Sequence, residues 1–108
     1  TPVARRRWNA AGEFGDTHGD YPAAMRAVAE GEKVPLLELN KLTMDLERGH
    51  GVEGSKRLHL HYPGGLYQRW PKAVSDNTHF SEYGAARVAA LAVLELLRLQ
   101  LPPAAWVR

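Results

Sequence analysis

The sequence predicts an α/β fold. Three observations carry that expectation. Helical-period apolar segments alternate with short extended apolar runs, in the order strand, helix, strand, helix, loop, helix. The 108 residues are 44% hydrophobic and 24% charged, the composition of one ordinary small globular unit. The last helix carries a wide apolar stripe that has to be covered by a sheet or by other helices.

Thr1-Pro2-Val3-Ala4-Arg5 reads as the end of a strand, and the polar, glycine-rich stretch from Arg6 to Gly19 as a loop. Asp20 is placed to cap a helix that has Pro22 in its first turn. Ala24, Met25, Val28 and Ala29 share one face of it, and Gly31 stops it. Val34-Pro35-Leu36-Leu37-Glu38-Leu39 reads as a largely buried strand. Pro35 lacks a ladder donor and so belongs at its start or on an edge. Leu42 and Leu46 anchor a second helix that ends near Gly49 or Gly51, with one more helical turn over Glu53 to Leu58. Leu58-His59-Leu60-His61-Tyr62 alternates as an extended segment does. Pro63 to Ser75 is a long loop of Gly, Pro and aromatic residues, of the kind that carries function. The final helix spans Ser81 to Gln100, with Ala85, Val88, Ala89, Ala92, Leu96 and Leu99 on its apolar stripe, and Pro102-Pro103 ends it. Two short strands are too little sheet for such a helix. The expectation is that strands from outside this chain complete the layer.

Composition excludes several classes. No apolar run approaches the ~20 residues of a membrane-spanning helix, so no membrane partner is expected. The net charge of +2 is a mild basic balance that does not by itself call for nucleic acid, and none is expected as a partner. The chain has no cysteine, which removes disulfides, thiolate metal sites and a cysteine nucleophile. It begins Thr1-Pro2-Val3 without an initiator Met, and no signal peptide is visible. An N-terminal portion is therefore expected to precede it, and secreted and cytoplasmic locations both fit.

The chemistry concentrates in Asp76-Asn77-Thr78-His79-Phe80-Ser81-Glu82-Tyr83-Gly84-Ala85. A hydroxyl nucleophile is weak at neutral pH, so it needs a base within hydrogen-bond reach, and the base needs a third group to fix its tautomer. His79 is the candidate base. Asp76, three residues earlier in a turn, can fold back onto Nδ1 and leave Nε2 outward. Asn77 favours the turn, and Ser81 the helix cap behind it. The bland alternative is a capping Asp and a surface His.

This block, followed by an apolar helix, resembles the last conserved block of the SGNH (GDSL-type) hydrolases. Thr1-Pro2-Val3-Ala4-Arg5-Arg6-Arg7-Trp8 is similar to a strand end of their rhamnogalacturonan acetylesterase branch, and Val34-Pro35-Leu36-Leu37-Glu38-Leu39-Asn40 to its next strand. The resemblance implies the C-terminal part of a three-layer α/β/α fold with a parallel sheet, residues 1–108 forming the C-terminal portion of a single domain. It implies an esterase that removes acetyl groups from a carbohydrate of the pectic rhamnogalacturonan type. Asp76 and His79 then match the acid and base of a Ser-His-Asp triad, and no cofactor or metal is called for. The Gly-Asp-Ser nucleophile block and the oxyanion-hole blocks match nothing here. Of the serines, Ser55, Ser75 and Ser81, none sits in a glycine-flanked strand-to-helix turn. The implied partners are an acetylated carbohydrate and an N-terminal portion, or a second chain, that supplies the serine and the oxyanion hole. The chain alone is expected to be inactive.

The resemblance also implies that Arg7 and Trp8 fall at the carboxyl end of a strand, where open α/β sheets place ligands, which makes them candidate substrate contacts beside the plainer reading of a solvated charge run and a packed Trp. Tyr67 and Trp70, in the loop before Asp76, are candidates for stacking on sugar rings or covers for the core edge. His59 and His61 alternate on a strand, the stereochemistry of a metal pair, but their spacing matches no defined zinc pattern. His18 and His50 read as surface residues. The alternative function is a non-catalytic α/β module that binds carbohydrate or a partner.

Overall fold

A computed structural model describes residues 1–106. Its order is α1 (Tyr21–Gly31), α2 (Leu39–Gly54), a 3-10 turn (Ser55–Leu58), β1 (His59–Tyr62), β2 (Val74–Phe80), α3 (Glu82–Arg98) and a second 3-10 turn (Pro102–Trp106). The structure is thus a small α/β unit, but the sheet differs from the expected one. Among the described residues it is a two-stranded antiparallel pair, β1 with β2, and not a parallel sheet between helical layers. The segments 1–5 and 34–38 form no strand. A strand persists only where a neighbour completes its ladder, and neither segment has one here. They are joined instead through Thr1, whose backbone nitrogen donates to the Leu37 carbonyl at 2.7 Å and whose Oγ1 accepts from Asn40 N at 2.8 Å.

The helices follow the apolar pattern with local corrections. Asp20 does not cap α1 through its side chain, because its own backbone is already helical at φ −83°, ψ −7°. Asp16 makes the turn instead, accepting from His18 N and Gly19 N. Helix α1 ends at Gly31 as expected, yet the left-handed residue after it is Lys33, at φ 53°. In α2 the helix breaks at Gly51 (φ 73°, ψ 178°), a conformation only glycine adopts readily. Strand β2 runs through the Asp-Asn-Thr-His stretch, which by sequence reads as a turn. The last helix keeps its expected place, and Ser81 caps it by accepting from Gly84 N at 3.0 Å.

Helix α3 packs along α2, and one side chain ties them. Glu95, buried, accepts from the Glu38 backbone N–H at the start of α2 (2.9 Å) and from Arg98 Nε (2.7 Å) and Nη2 (3.0 Å). Chiefly the Arg98 guanidinium, and then the Glu38 amide, hold its carboxyl down to about 2. The tie contributes stability above the ordinary carboxylate value and loses it as pH falls through that lowered value.

Little apolar matter is buried. Among the described residues the buried apolar side chains are Ala4, Pro22, Ala29 and Leu58, while Asn40, Thr43, Glu47, Ser55, His59, Ser81 and Glu95 are buried polar ones. Thr43 explains itself, since its Oγ1 accepts from Ala4 N and donates to Leu39 O. Asn40 Nδ2, Glu47 Oε2 and His59 Nδ1 have no partner. Tyr21, Met25, Val28 and Val34 lie exposed along an apolar groove beside α1, and Leu94 and Leu97 are exposed on α3. The stripe at Val88, Ala92 and Leu96 is half-buried. The radius of gyration is 16.0 Å, against about 13 Å for a compact domain of this length. The accessible surface is 7475 Å² at 12.0 kDa, against about 6,000 Å² from the size scaling of folded monomers.

These quantities decide the folding behaviour of the isolated polypeptide. Residues 1–108 alone are expected to unfold in urea over a broad, shallow transition and to bind a hydrophobic dye. A steep cooperative transition without dye binding contradicts that expectation.

Candidate active site

The site is built on a defect in the hairpin. His59 pairs with Phe80, but the next residue of β1, Leu60, pairs with Asp76. Asn77, Thr78 and His79 therefore have no opposite number and loop out of β2 as a bulge. Bulges re-aim side chains in this way. Asp76 closes the loop from inside: its Oδ1 accepts from Thr78 N (2.7 Å) and His79 N (3.0 Å). Its other oxygen accepts from His79 Nδ1 at 2.7 Å, the distance expected of the Asp-x-x-His turn. These bonds, the His79 backbone N–H first, then the His79 ring and the Thr78 backbone, hold the Asp76 carboxyl well below its ordinary value of 3.8. It therefore stays ionised through the acid range where ordinary carboxylates protonate. An ionised acceptor fixes the proton of His79 on Nδ1, which leaves Nε2 as the basic nitrogen. The His79 side chain is 73% exposed and that of Asp76 30%. No partner holds Nε2 among the described residues.

Two elements clamp the bulge from outside. The Arg6 backbone N–H donates to the Asn77 carbonyl at 2.9 Å. The Arg6 guanidinium spreads its donors over Asn77 Oδ1 (3.2 Å), Ser55 Oγ (3.0 Å) and Val52 O (2.6 Å). From the hairpin, His61 Nε2 reaches the same Asn77 Oδ1 at 2.8 Å. Sequence does not say which of three adjacent guanidiniums turns inward; the structure shows that it is Arg6.

The other candidates divide. Trp8 donates its indole N–H to the buried Ser55 Oγ at 3.0 Å and packs edge-on against Phe14, so it is half-buried and structural on at least one edge. Arg7 is exposed, donates to the Asp16 carbonyl at 3.0 Å, and lines a cleft of about 510 Å³ with Trp8 and Phe14. Among the described residues no hydrogen bond or ring contact joins Tyr67 or Trp70 to the Asp76–His79 pair. They form an aromatic cluster with Tyr62, Trp70 stacking on Tyr62 at 5.8 Å and 13°. One ring face of Trp70 is thus already covered by protein.

None of the serines meets His79. Ser55 is fully buried under Arg6 and Trp8, Ser81 caps α3, and Ser75 lies 3.5 Å from His61 Nδ1. The remaining histidines correct the surface readings. His59 is buried and pairs through Nε2 with Glu47 Oε1 at 2.5 Å, so it does not share an open face with His61. His18 donates Nε2–H to Val3 O, and His50 donates Nδ1–H to Leu46 O while its Nε2 meets the Tyr83 hydroxyl. Among the described residues no group of three or more His, Cys, Asp or Glu side chains is placed to hold a metal ion. No helix among them is long and apolar enough to cross a membrane.

Comparison with known proteins gives one informative match. The chain is 40% identical over 102 residues to a rhamnogalacturonan acetylesterase, RhgT, of Bacillus subtilis (strain 168). The match takes in 94% of this chain and 44% of that protein, so the chain spans less than half the length of the curated relative. No protein-family model matches the chain, and no solved structure matches it.

The clamp generates a prediction. Arg6→Ala removes three side-chain bonds from a half-buried guanidinium and leaves Asn77 held by His61 alone on its side chain. In the full-length gene product the expected loss is about 1–3 kcal/mol in urea titration, with Arg6→Lys recovering little because an ammonium cannot span three acceptors. Full recovery by lysine contradicts the fork as the source of the effect.

Proposed function

We propose that this chain is the C-terminal portion of an SGNH-type serine esterase that removes acetyl groups from an acetylated polysaccharide or oligosaccharide of the pectic rhamnogalacturonan type. The observation that carries the reading is the exposed His79 ring bonded through Nδ1 to Asp76 at 2.7 Å. The 40% identity to an acetylesterase supports the choice of ester and of carbohydrate.

In this reading His79 is the general base and Asp76 the group that orients it and stabilises the imidazolium. A serine from outside residues 1–108 attacks the acetyl carbonyl while Nε2 of His79 takes its proton. Donors that also lie outside this chain stabilise the oxyanion. The tetrahedral intermediate collapses, the C–O bond to the sugar breaks, and His79 returns the proton to the leaving sugar oxygen. Water then attacks the acyl-serine with His79 again as base, which releases acetate and restores the serine. Through both halves Nδ1–H stays on the Asp76 carboxylate. The half-buried and exposed apolar surface of α1 and α3 is, in this reading, the interface to the rest of the domain.

A non-catalytic binding module is the second reading, favoured by the lack of any nucleophile against His79 among the described residues. Activity separates the two. In the full-length gene product, acetate release from an acetylated pectic oligosaccharide is expected, and His79→Ala is expected to lower kcat by about 10²–10⁴-fold with little change in KM. Asp76→Asn is expected to lower kcat as well, by disturbing the tautomer. Residues 1–108 alone are expected to release none. Robust turnover by this polypeptide alone, or a full-length His79→Ala enzyme with wild-type kcat, sinks the mechanism.

A further inference from the structure

One buried titratable pair takes no part in the chemistry assigned to the dyad. Glu47, on α2, meets His59, at the start of β1, through Oε1 and Nε2 at 2.5 Å, and the two side chains are 2% and 0% exposed. Their other polar atoms, Glu47 Oε2 and His59 Nδ1, are buried without a partner among the described residues. We infer that Glu47 and His59 are positioning residues for the dyad: the bond between them fixes the ring on which Phe80, the chain neighbour of His79, is set. The inference rests on the esterase reading for what His79 does, but the state of the His79 ring is measurable without catalysis.

Contacts run from the pair to the dyad without a gap. The break in α2 at Gly51 and the 3-10 turn over Ser55–Leu58 separate Glu47 from His59 in sequence, and the bond between them ties the hairpin back to the helix. His59 pairs with Phe80 across the hairpin, and their rings lie 5.2 Å apart at 33°. Phe80 is where β2 rejoins the ladder after the bulge, and Asp76, opposite Leu60, is where β2 leaves it. His79 is therefore held between a residue it bonds, Asp76, and a residue that packs on His59. Turning or withdrawing the His59 ring removes the support of Phe80 and shifts the backbone that carries His79.

Stability is a poor account of this pair. Replacing both partners of a buried polar pair by apolar groups of similar shape is often neutral or stabilising, and here each partner also leaves an atom unsatisfied. A polar pair supplies something that apolar contact does not. A hydrogen bond aims one ring nitrogen at one oxygen within a narrow range of distance and angle. Packing alone leaves the outer torsion of an aromatic ring broad. Glu47 thus selects one orientation of His59, and that orientation is the one Phe80 meets.

The test is a set of variants of the full-length gene product, each checked for folding by urea titration. Two quantities are read: kcat and KM for acetate release from an acetylated pectic oligosaccharide, and the ring nitrogens of ¹⁵N-histidine-labelled protein. The Glu47→Leu, His59→Phe double variant is expected to stay folded while kcat falls about 10–100-fold at nearly constant KM, the scale of a misplacement of about 1 Å. In it the His79 ring is expected to drift from Nδ1–H toward a tautomer mixture. Glu47→Asp keeps the carboxylate but shortens its reach by one methylene, so it reports even if the double variant fails to fold. It is expected to lower kcat by about tenfold, again at nearly constant KM, and to loosen His79 in the same way. Glu47→Gln keeps both the reach and an acceptor oxygen, and is expected to retain most of the activity. Wild-type kcat or an unchanged His79 signature in folded Glu47→Asp overturns the inference, and so does a loss in Glu47→Gln as large as that in Glu47→Asp. A loosened His79 ring in Glu47→Asp, in a protein without esterase activity, supports the positioning role and fails the esterase reading; esterase activity with wild-type kcat in Glu47→Asp does the reverse.

Discussion

The arrangement depends on how α3 is seated on the end of β1. The Leu58 carbonyl accepts from Ser81 N at 3.0 Å, and Gly84 comes so close that a Cβ there would stand 1.9 Å from that oxygen. Ser81 Oγ donates to the Arg57 carbonyl at 2.5 Å and accepts from Gly84 N. Any side chain at Gly84 would have to push the helix off. This seat fixes Phe80 opposite His59. Asp76 is fixed by its pairing with Leu60, so the three residues between have to leave the ladder. The bulge, and with it the turn that closes Asp76 on His79, follows from two anchored ends and a surplus of chain.

The interior around that seat is largely polar. The buried face of α2 is polar, through Asn40, Thr43 and Glu47, and Glu47 turns to the buried His59. Asn40 Nδ2, Glu47 Oε2 and His59 Nδ1 are buried without a partner, and apolar side chains of α1 and α3 stand exposed among the described residues. Burying polar groups without partners costs free energy, and exposing Met25, Val28 and Leu94 forgoes hydrophobic stabilisation. Both features become reasonable if these surfaces are interior to a larger domain, the arrangement proposed here for a chain that matches 44% of its relative.

Much of this was legible in the residues. Helical periodicity located α1, α2 and α3 to within a few residues, and the Asp-x-x-His spacing anticipated the bond between Asp76 and His79. Where the reading failed, long-range contact was the cause. Residues 34–38 have the apolar run of a strand but no neighbour to pair with. Strand β2 hid behind turn-forming residues, because its bulge is imposed by the seating of α3 and not by local propensity. His59 reads from sequence as one of an alternating strand pair with His61, and only Glu47, twelve positions earlier, draws it into the interior. Arg6 was indistinguishable from Arg5 and Arg7 until Ser55, Val52 and Asn77 were seen around it.

The dependence of the dyad on a glycine that touches neither of its members is the least obvious claim, and the most direct to measure. Histidine ring nitrogens in ¹⁵N-labelled full-length protein report which one carries the proton. In the wild type, His79 is expected to be held with the proton on Nδ1, bonded to Asp76. In Gly84→Ala the helix is displaced, the register between His59 and Phe80 relaxes, and His79 is expected to revert to the tautomer mixture of a solvated imidazole while the protein remains folded. An unchanged Nδ1–H signature in a folded Gly84→Ala protein would show that the Asp-x-x-His turn assembles without the seat, and would contradict the account.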